Sequence, residues 1–540
     1  MEEKKFTESE IVLENVSGEP ITPRRKRGFE LSNKDSAFKV IIAIATVFLT
    51  IFGIWEGFRA GFTVTALLMF LCLTVYFANR NTKIRIFSVL CGFLNCALAS
   101  TFAITSNGLI RFMGLISMTV LSAIWFMYLV KVPTAHTDFG IVSNIAVPFF
   151  KSFTVSLPST IAAFFRSNSN KRGSMGKIML GVLCSLPVLV VVVPLLMSSD
   201  AAFAGLISKI LGESFFTFFK IVVGLVLSVF ILSYCFTLKK RELPNRAGED
   251  INFIDSTIAT SFLAVLSFCY LGYLFAQLAY FFSAFKGILP EDYEFTLSNY
   301  ARRGFFEMCI IAVINFVIIY VVLMLAKKNK GKICVSGRLL CGFMGLFTLL
   351  IISTALSKMI LYIGEYGMTK LRIYTSMFML FLGLVFIALI LRTFFLKVPV
   401  LKVAIITAAT VIALMGVVNV NSVIASYNYN GYINGDLKEM DVNTIYRLGD
   451  EGVVYLVKLT NCEDTEVAEN AENKLDRIIK NGKYYELEID EQVEDNFDDD
   501  KYVIKEKKYD ALGEYSIARD EAYRALDKYV EKNPDVLYVY

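Results

Sequence analysis

At 540 residues and 60.7 kDa the chain is long enough for about three or four soluble domains, yet 55% hydrophobic against 19% charged residues and a mean hydropathy of +0.56 exclude a water-soluble globule, because too little polar surface remains to wrap one. The net charge of +5 hides a division: Asp436 to Tyr540 carries 28 acidic and 15 basic residues, net −13, which leaves +18 for residues 1–435. A basic membrane portion joined to an acidic tail places one chain in two environments.

Residues 1–36 are polar, include Arg24, Arg25, Lys26 and Arg27, and hold neither an apolar h-region nor a small-residue cleavage site, so a cytoplasmic basic tail, disordered and not a removable signal, is expected. The polytopic region covers 37–418. Apolar runs of bilayer length predict eleven spans, at 37–54, 61–78, 86–104, 109–130, 178–197, 216–238, 257–284, 304–326, 338–360, 373–396 and 400–418. Residues 145–165, interrupted by Pro148, Lys151 and Pro158, read as an interfacial segment, and 201–212 is too short to cross.

Loop charge tests this count. The 1–36 tail and the gaps at 79–85, 131–177, 239–256, 327–337 and 392–402 are rich in Lys and Arg, whereas the alternate gaps are lean, with none at 105–108. Basic loops face the cytoplasm. The alternation predicts a multi-pass plasma-membrane protein with its amino terminus cytoplasmic and an acidic soluble domain, 419–540, outside. That domain reads as mostly helical, with turn signals at Asn430-Gly431, Asn434-Gly435 and Asn481-Gly482, a cap at Asp441, and an amphipathic helix carrying Ile517, Ala518, Ala522, Leu526 and Val530. The fold class is therefore an all-α membrane bundle of about eleven transmembrane helices with a C-terminal, mostly helical soluble domain.

The ten cysteines form no disulfide framework, since only Cys462 lies in the polar tail. His136 is the one histidine, which rules out a two-histidine zinc site and leaves a catalytic triad only a residue in a cytoplasmic loop. Gly173-Ser-Met-Gly-Lys177 lacks the spacing and hydroxyl of a phosphate cradle. Asp498 to Asp500 reads as a solvated acidic surface. No metal, cofactor or nucleic-acid partner is expected; the basic residues are topological.

Unusual polar residues cluster at the outer boundary in three groups. Gln277 and Tyr280 close the seventh span, and Tyr300, Arg302, Arg303 and Glu307 open the eighth, where Arg303 and Glu307 stand i, i+4 and can pair. Lys358, Tyr362, Glu365, Tyr366, Lys370 and Arg372 surround the gap between spans nine and ten, and Asn419 to Asn428 leaves span eleven. They read as an aromatic and basic girdle that seats the tail domain, or as a site for a ligand. Within the spans, Asn95 and Asn315 are expected to hydrogen-bond between helices, and Pro187 and Pro194 to interrupt the fifth.

The stretches Tyr300-Ala-Arg-Arg-Gly-Phe-Phe-Glu307, Leu361-Tyr-Ile-Gly-Glu-Tyr-Gly-Met-Thr-Lys-Leu-Arg372, Asn419-Val-Asn-Ser-Val-Ile-Ala-Ser-Tyr-Asn428 and Tyr515-Ser-Ile-Ala-Arg519 resemble signature segments of the bacterial membrane protein family called domain of unknown function 4153/4173. The resemblance runs from about residue 180 to the end. Ser516 stands where the family often has Asn, and Ile363 where an acid often follows the tyrosine, with Glu365 displaced. It implies an integral membrane protein with no assigned activity. The expected role is non-catalytic: sensing, scaffolding or partner binding at the cell envelope, with the lipid bilayer and an envelope protein or small-molecule ligand as partners. Two alternatives stand beside it. One is a secondary transporter of a small solute using Gln277 and Glu307. The other is a membrane enzyme acting on lipid-linked substrates at the outer face, with Glu307 or Glu365 as acid/base.

Overall fold

The computed structural model describes residues 33–78, 86–130, 138–158, 160–161, isolated positions between 181 and 192, and then 195–240, 253–281, 305–327, 333–395, 398–480, 484–489, 502–506, 515–533 and 538–539. Helices dominate: α1 (Asn33–Phe48, prolonged by a π-helical stretch Leu49–Ile54), α2 (Ala60–Phe77), α3 (Ile86–Ile104), α4 (Gly108–Leu129), α5 (Asp138–Lys151), α6 (Ala201–Lys240), α7 (Ser256–Phe281), α8 (Phe305–Leu325), α9 (Val335–Tyr366), α10 (Lys370–Phe395) and α11 (Val400–Val417). Among the described residues nine helices, α2 to α4 and α6 to α11, contain a stretch long and apolar enough to cross a membrane. This is a multi-pass helical membrane protein. The apolar part of α1, Phe38–Ile54, is shorter, and most of the stretch 178–197, with Pro187 and Pro194, lies outside the described residues.

Two shorter apolar stretches acquire defined surroundings. Residues 201–212 form the first turns of the 40-residue α6, not a separate short element. The stretch read as interfacial is α5, prolonged by a π-helical turn Ser152–Ser156 and laid against α6, where Ser233 Oγ donates to the Ser152 carbonyl at 2.7 Å and Thr237 Oγ1 to Ser156 Oγ at 2.8 Å. Satisfying those hydroxyls is what makes their burial affordable in an apolar surround.

The bundle holds two apolar clusters, one built from α1 to α4, α6 and α11, the other from α7 to α10. Each is crosslinked by an asparagine. Asn95 Nδ2 donates to Ser122 Oγ at 3.0 Å between α3 and α4; Asn315 accepts from the Tyr270 hydroxyl at 2.6 Å and donates to Thr348 Oγ1 at 2.9 Å, tying α8 to α7 and α9. Such bonds contribute roughly 1 kcal/mol each.

Beyond α11 come α12 (Val420–Ile433), α13 (Val442–Tyr446), α14 (Asp450–Leu459), α15 (Thr465–Lys480) and α16 (Ile517–Lys532). Strands β1 (Tyr485–Ile489), β2 (Tyr502–Glu506) and β3 (Tyr538–Val539) add an antiparallel sheet in the order β1-β2-β3, pairing Leu487 with Ile504 and Val503 with Tyr538. The helical reading of the tail missed this sheet, although Tyr485-Glu-Leu-Glu-Ile489 alternates with period two. Asp441 does cap, accepting from the Thr444 amide at 3.1 Å, but its helix stops at Tyr446 and Gly449, at φ 81°, redirects the chain into α14. Asn430-Gly431 lies within the last turn of α12; the turn follows at Gly435, φ 78°. Asn481-Gly482 is outside the described residues.

Helix packing in the first cluster depends on one close approach: a Cβ on Gly224 of α6 would lie 2.7 Å from the Val47 Cα of α1. Gly→Ala inside a helix ordinarily stabilises by about 1 kcal/mol. Gly224→Ala is expected to invert that sign and cost about 1–3 kcal/mol, while Gly272→Ala, whose Cβ meets nothing within 4 Å, is expected to be neutral or stabilising. Thermal unfolding of both variants in detergent measures the contrast.

Candidate functional site

The turn between α3 and α4 is Thr105-Ser106-Asn107. Asn107 caps α4, its Oδ1 accepting from the Ile110 amide at 3.2 Å, so its Nδ2 remains to donate to the Tyr374 hydroxyl at 2.5 Å and to Asn421 Oδ1 at 2.8 Å. Arg111, one turn on, braces this turn from behind by donating to the carbonyls of Thr105 (2.8 Å), Phe102 (3.1 Å) and Gly57 (3.3 Å). Into the turn projects Glu451, from the first turn of α14, where the helix dipole favours an anion.

Glu451 is 3% exposed. Its Oε1 accepts from Thr105 Oγ1 and from the Ser106 amide, both at 2.8 Å; its Oε2 accepts from Ser106 Oγ and from Asn421 Nδ2 at 3.3 Å. A carboxylate offers about four acceptor sites, and four donors occupy them. Asn421 Nδ2 also donates to the Leu448 carbonyl at 2.9 Å. The adjacent Asp450, equally buried, accepts from the Tyr484 hydroxyl at 2.6 Å. Burial and then the Asp450 charge push the Tyr484 phenol well above its ordinary value.

A second contact forms at the turn between α9 and α10, where Gly367 adopts φ 74°. Asn428 brackets Met368, accepting from its amide at 2.7 Å and donating to its carbonyl at 2.8 Å. Lys370 Nζ donates to the Arg447 carbonyl at 2.6 Å, and Lys438 meets Glu365 at 3.3 Å. A third lies at the turn between α1 and α2, where Gly57 and Phe58 have positive φ and the Ala60 amide donates to the Tyr515 carbonyl at 3.0 Å. The next residue, Ser516, caps α16 by accepting from the Arg519 amide at 3.3 Å.

Of the residues singled out in the sequence, Tyr362, Glu365, Tyr366, Arg372 and Asn428 come together at the second turn. Arg372 does not reach across to the tail. It donates to the carbonyls of Tyr366 and Gly367 and lies 4.1 Å from the Tyr362 ring centroid, so it shapes the turn that Asn428 grips. Glu307 is exposed in the first turn of α8. Tyr300, Arg302 and Arg303, with the expected Arg303–Glu307 pair, lie outside the described residues, as do the side chains of Gln277 and Tyr280 near the end of α7. Thr105, Ser106, Asn107, Tyr374 and Glu451 escaped the sequence reading. The 105–108 gap lacks charge and enters the sequence reading only as a lean loop; its local signal is a Thr-Ser-Asn run immediately before an apolar helix.

The family described as Domain of unknown function (DUF4153) matches residues 64–459, and the chain belongs to it. The match begins upstream of the residue-180 limit drawn from the sequence stretches. It ends with α14, so it takes in Glu451 and leaves out Tyr515 to Arg519. No curated protein and no solved structure matches the chain.

Glu451→Ala strands four donors and is expected to cost about 3 kcal/mol. Glu451→Gln should cost less, about 1–2 kcal/mol, because the Ser106 hydroxyl can rotate to accept from an amide at the Oε2 position, where only the 3.3 Å Asn421 contact is then lost. Limited proteolysis of the C-terminal unit across a temperature series should rank them wild type, Gln, Ala. For Tyr484 the folded state retains a proton that the unfolded chain releases near pH 10, so its stabilisation is complete below pH 10 and lost above it. The unit is expected to weaken by up to about 1.4 kcal/mol per pH unit above pH 10, and Tyr484→Phe should flatten that fall, as read from unfolding at pH 9 to 11.

Proposed function

We propose that this is a plasma-membrane protein of about eleven spans with a cytoplasmic amino terminus and an extracytoplasmic, acidic soluble unit from residue 419 onward. Its role is non-catalytic: it presents that unit at the cell envelope for sensing, scaffolding or partner binding. One observation carries this reading. The buried acid that meets the bundle, Glu451, has its acceptor sites filled by the protein's own donors, as a docking anchor requires and a general base does not. An enzyme at the outer face would need Glu307 or Glu365 in a water-excluded cavity. Both are exposed, and Glu365 pairs with Lys438.

The orientation rests on the alternation of basic and lean loops. The three turns that receive the tail, at 55–59, 105–107 and 367–369, all belong to the lean set's side of the bundle. A C-terminal epitope should be reached on intact spheroplasts and an N-terminal one only after permeabilisation; finding both on one side overturns the arrangement. In a deletion strain, Glu307→Gln should complement as wild type does and Glu451→Ala should not. The opposite ranking would favour the transporter or enzyme.

A further inference from the structure

α12 holds the bundle at two places along its length. Asn421 bonds Asn107 in the turn between α3 and α4, and Asn428 brackets Met368 in the turn between α9 and α10. Seven residues separate these asparagines, about 10 Å along a helix. Each turn joins two helices of membrane-crossing length, so each lies at the bilayer's polar boundary. A helix fixed at two points on that boundary runs along it and does not rise away from it. The break that turns the chain is Asn419, at φ 54° between α11 and α12.

Among the described residues, nothing covers the side of α12 opposite these asparagines. Val423, Tyr427 and Ile433 are 39%, 37% and 52% exposed and fall within one sector of the helix, which they share with Ser426 and Asn430, two uncharged residues bonded to each other at 3.2 Å. Val420–Ile433 contains no Asp, Glu, Lys or Arg, whereas a helix face washed by water on a globular surface normally carries charge. The exposed stripe also continues that of α11, where Leu414, Val417 and Val418 point outward from a membrane-crossing helix. Among the described residues nothing covers those three, as suits side chains that face lipid.

We propose that α12 is an in-plane interfacial helix whose Val423, Tyr427 and Ile433 face is embedded in the headgroup–acyl boundary of the leaflet from which α11 emerges. Tyrosine suits this depth, with its ring in the apolar layer and its hydroxyl in the wet one. The occupant is the lipid surface itself, and α12 thereby connects the packing of that leaflet to the seat of the C-terminal unit.

The test uses the full-length protein in phosphatidylcholine/phosphatidylglycerol proteoliposomes, with bimane attached at Val423→Cys, Ile433→Cys or, as a control on the exposed face of α15, Glu469→Cys, and the signal of the native cysteines subtracted from the parent chain. Bimane at 423 and 433 should be quenched at least about twofold more by lipid bearing a nitroxide near the ester carbonyl than the control is, and correspondingly less by aqueous iodide. Quenching at both positions like that at 469 overturns the proposal, because the face is then in water. Protection from both quenchers also overturns it, because a protein partner or a second copy then covers the face. Two independent positions guard against one variant that fails to fold.

Discussion

Taking a carboxylate out of water costs several kcal/mol unless its acceptor sites are refilled with good geometry. Glu451 meets that condition only when three separated pieces of chain arrive together: the turn Thr105-Ser106, Asn421 of α12, and its own α14. The burial therefore acts as a constraint on assembly. A C-terminal unit displaced by one helical turn would leave a charge facing apolar side chains, so the penalty for the wrong register exceeds the gain from the right one. Asn421 extends the condition by bonding Asn107 on one side and the Leu448 carbonyl on the other, and Asp450 extends it through Tyr484 to the residues leading into β1.

α11 transmits this constraint to the membrane. Val400 belongs to the apolar cluster of α7 to α10, Ala409 and Ala413 to that of α1 to α4, and Met415 to the cluster of the C-terminal helices. A single helix thus packs against both halves of the bundle and ends within the unit above it. Gly416 permits the closest part of that contact: a Cβ there would collide with the Thr101 side chain. The same helix therefore positions α12, because Asn419 follows three residues after that contact.

How much was legible in the sequence follows from which forces write themselves locally. Spans are composition and length, and the runs beginning at 61, 86, 109, 216, 257, 304, 338, 373 and 400 coincide with described helices. Asn315 could be read as an interhelical bond because an amide within an apolar run has few other ways to satisfy itself. The docking seat could not be read that way. Glu451 is one of 28 acids in the tail, and only the tertiary arrangement separates it from its solvated neighbours. Arg302, Arg303 and Arg372 are conspicuous in the sequence by their charge, whereas the residues that form the seat include uncharged Thr105, Ser106, Asn107 and Asn428. The sheet was lost for a related reason: short alternating strands inside a strongly polar segment carry a weaker signal than the amphipathic helices beside them.

The chemistry of the seat also explains why neutral groups serve there better than ion pairs. The Lys438–Glu365 pair at the rim is solvated, with the lysine side chain 84% exposed, and contacts of that kind contribute about 0–1 kcal/mol. Hydroxyls and amides cost less to bury than charges do, and they can donate and accept together. Asn428 does both, capturing the amide and carbonyl of one residue, Met368, so the grip is on backbone and does not depend on the identity of that side chain. A seat made of one buried anion, its neutral donors and a backbone clamp is directional, where a ring of surface charges would hold the unit in many orientations of similar energy. That directionality keeps α12 level with the turns beneath it.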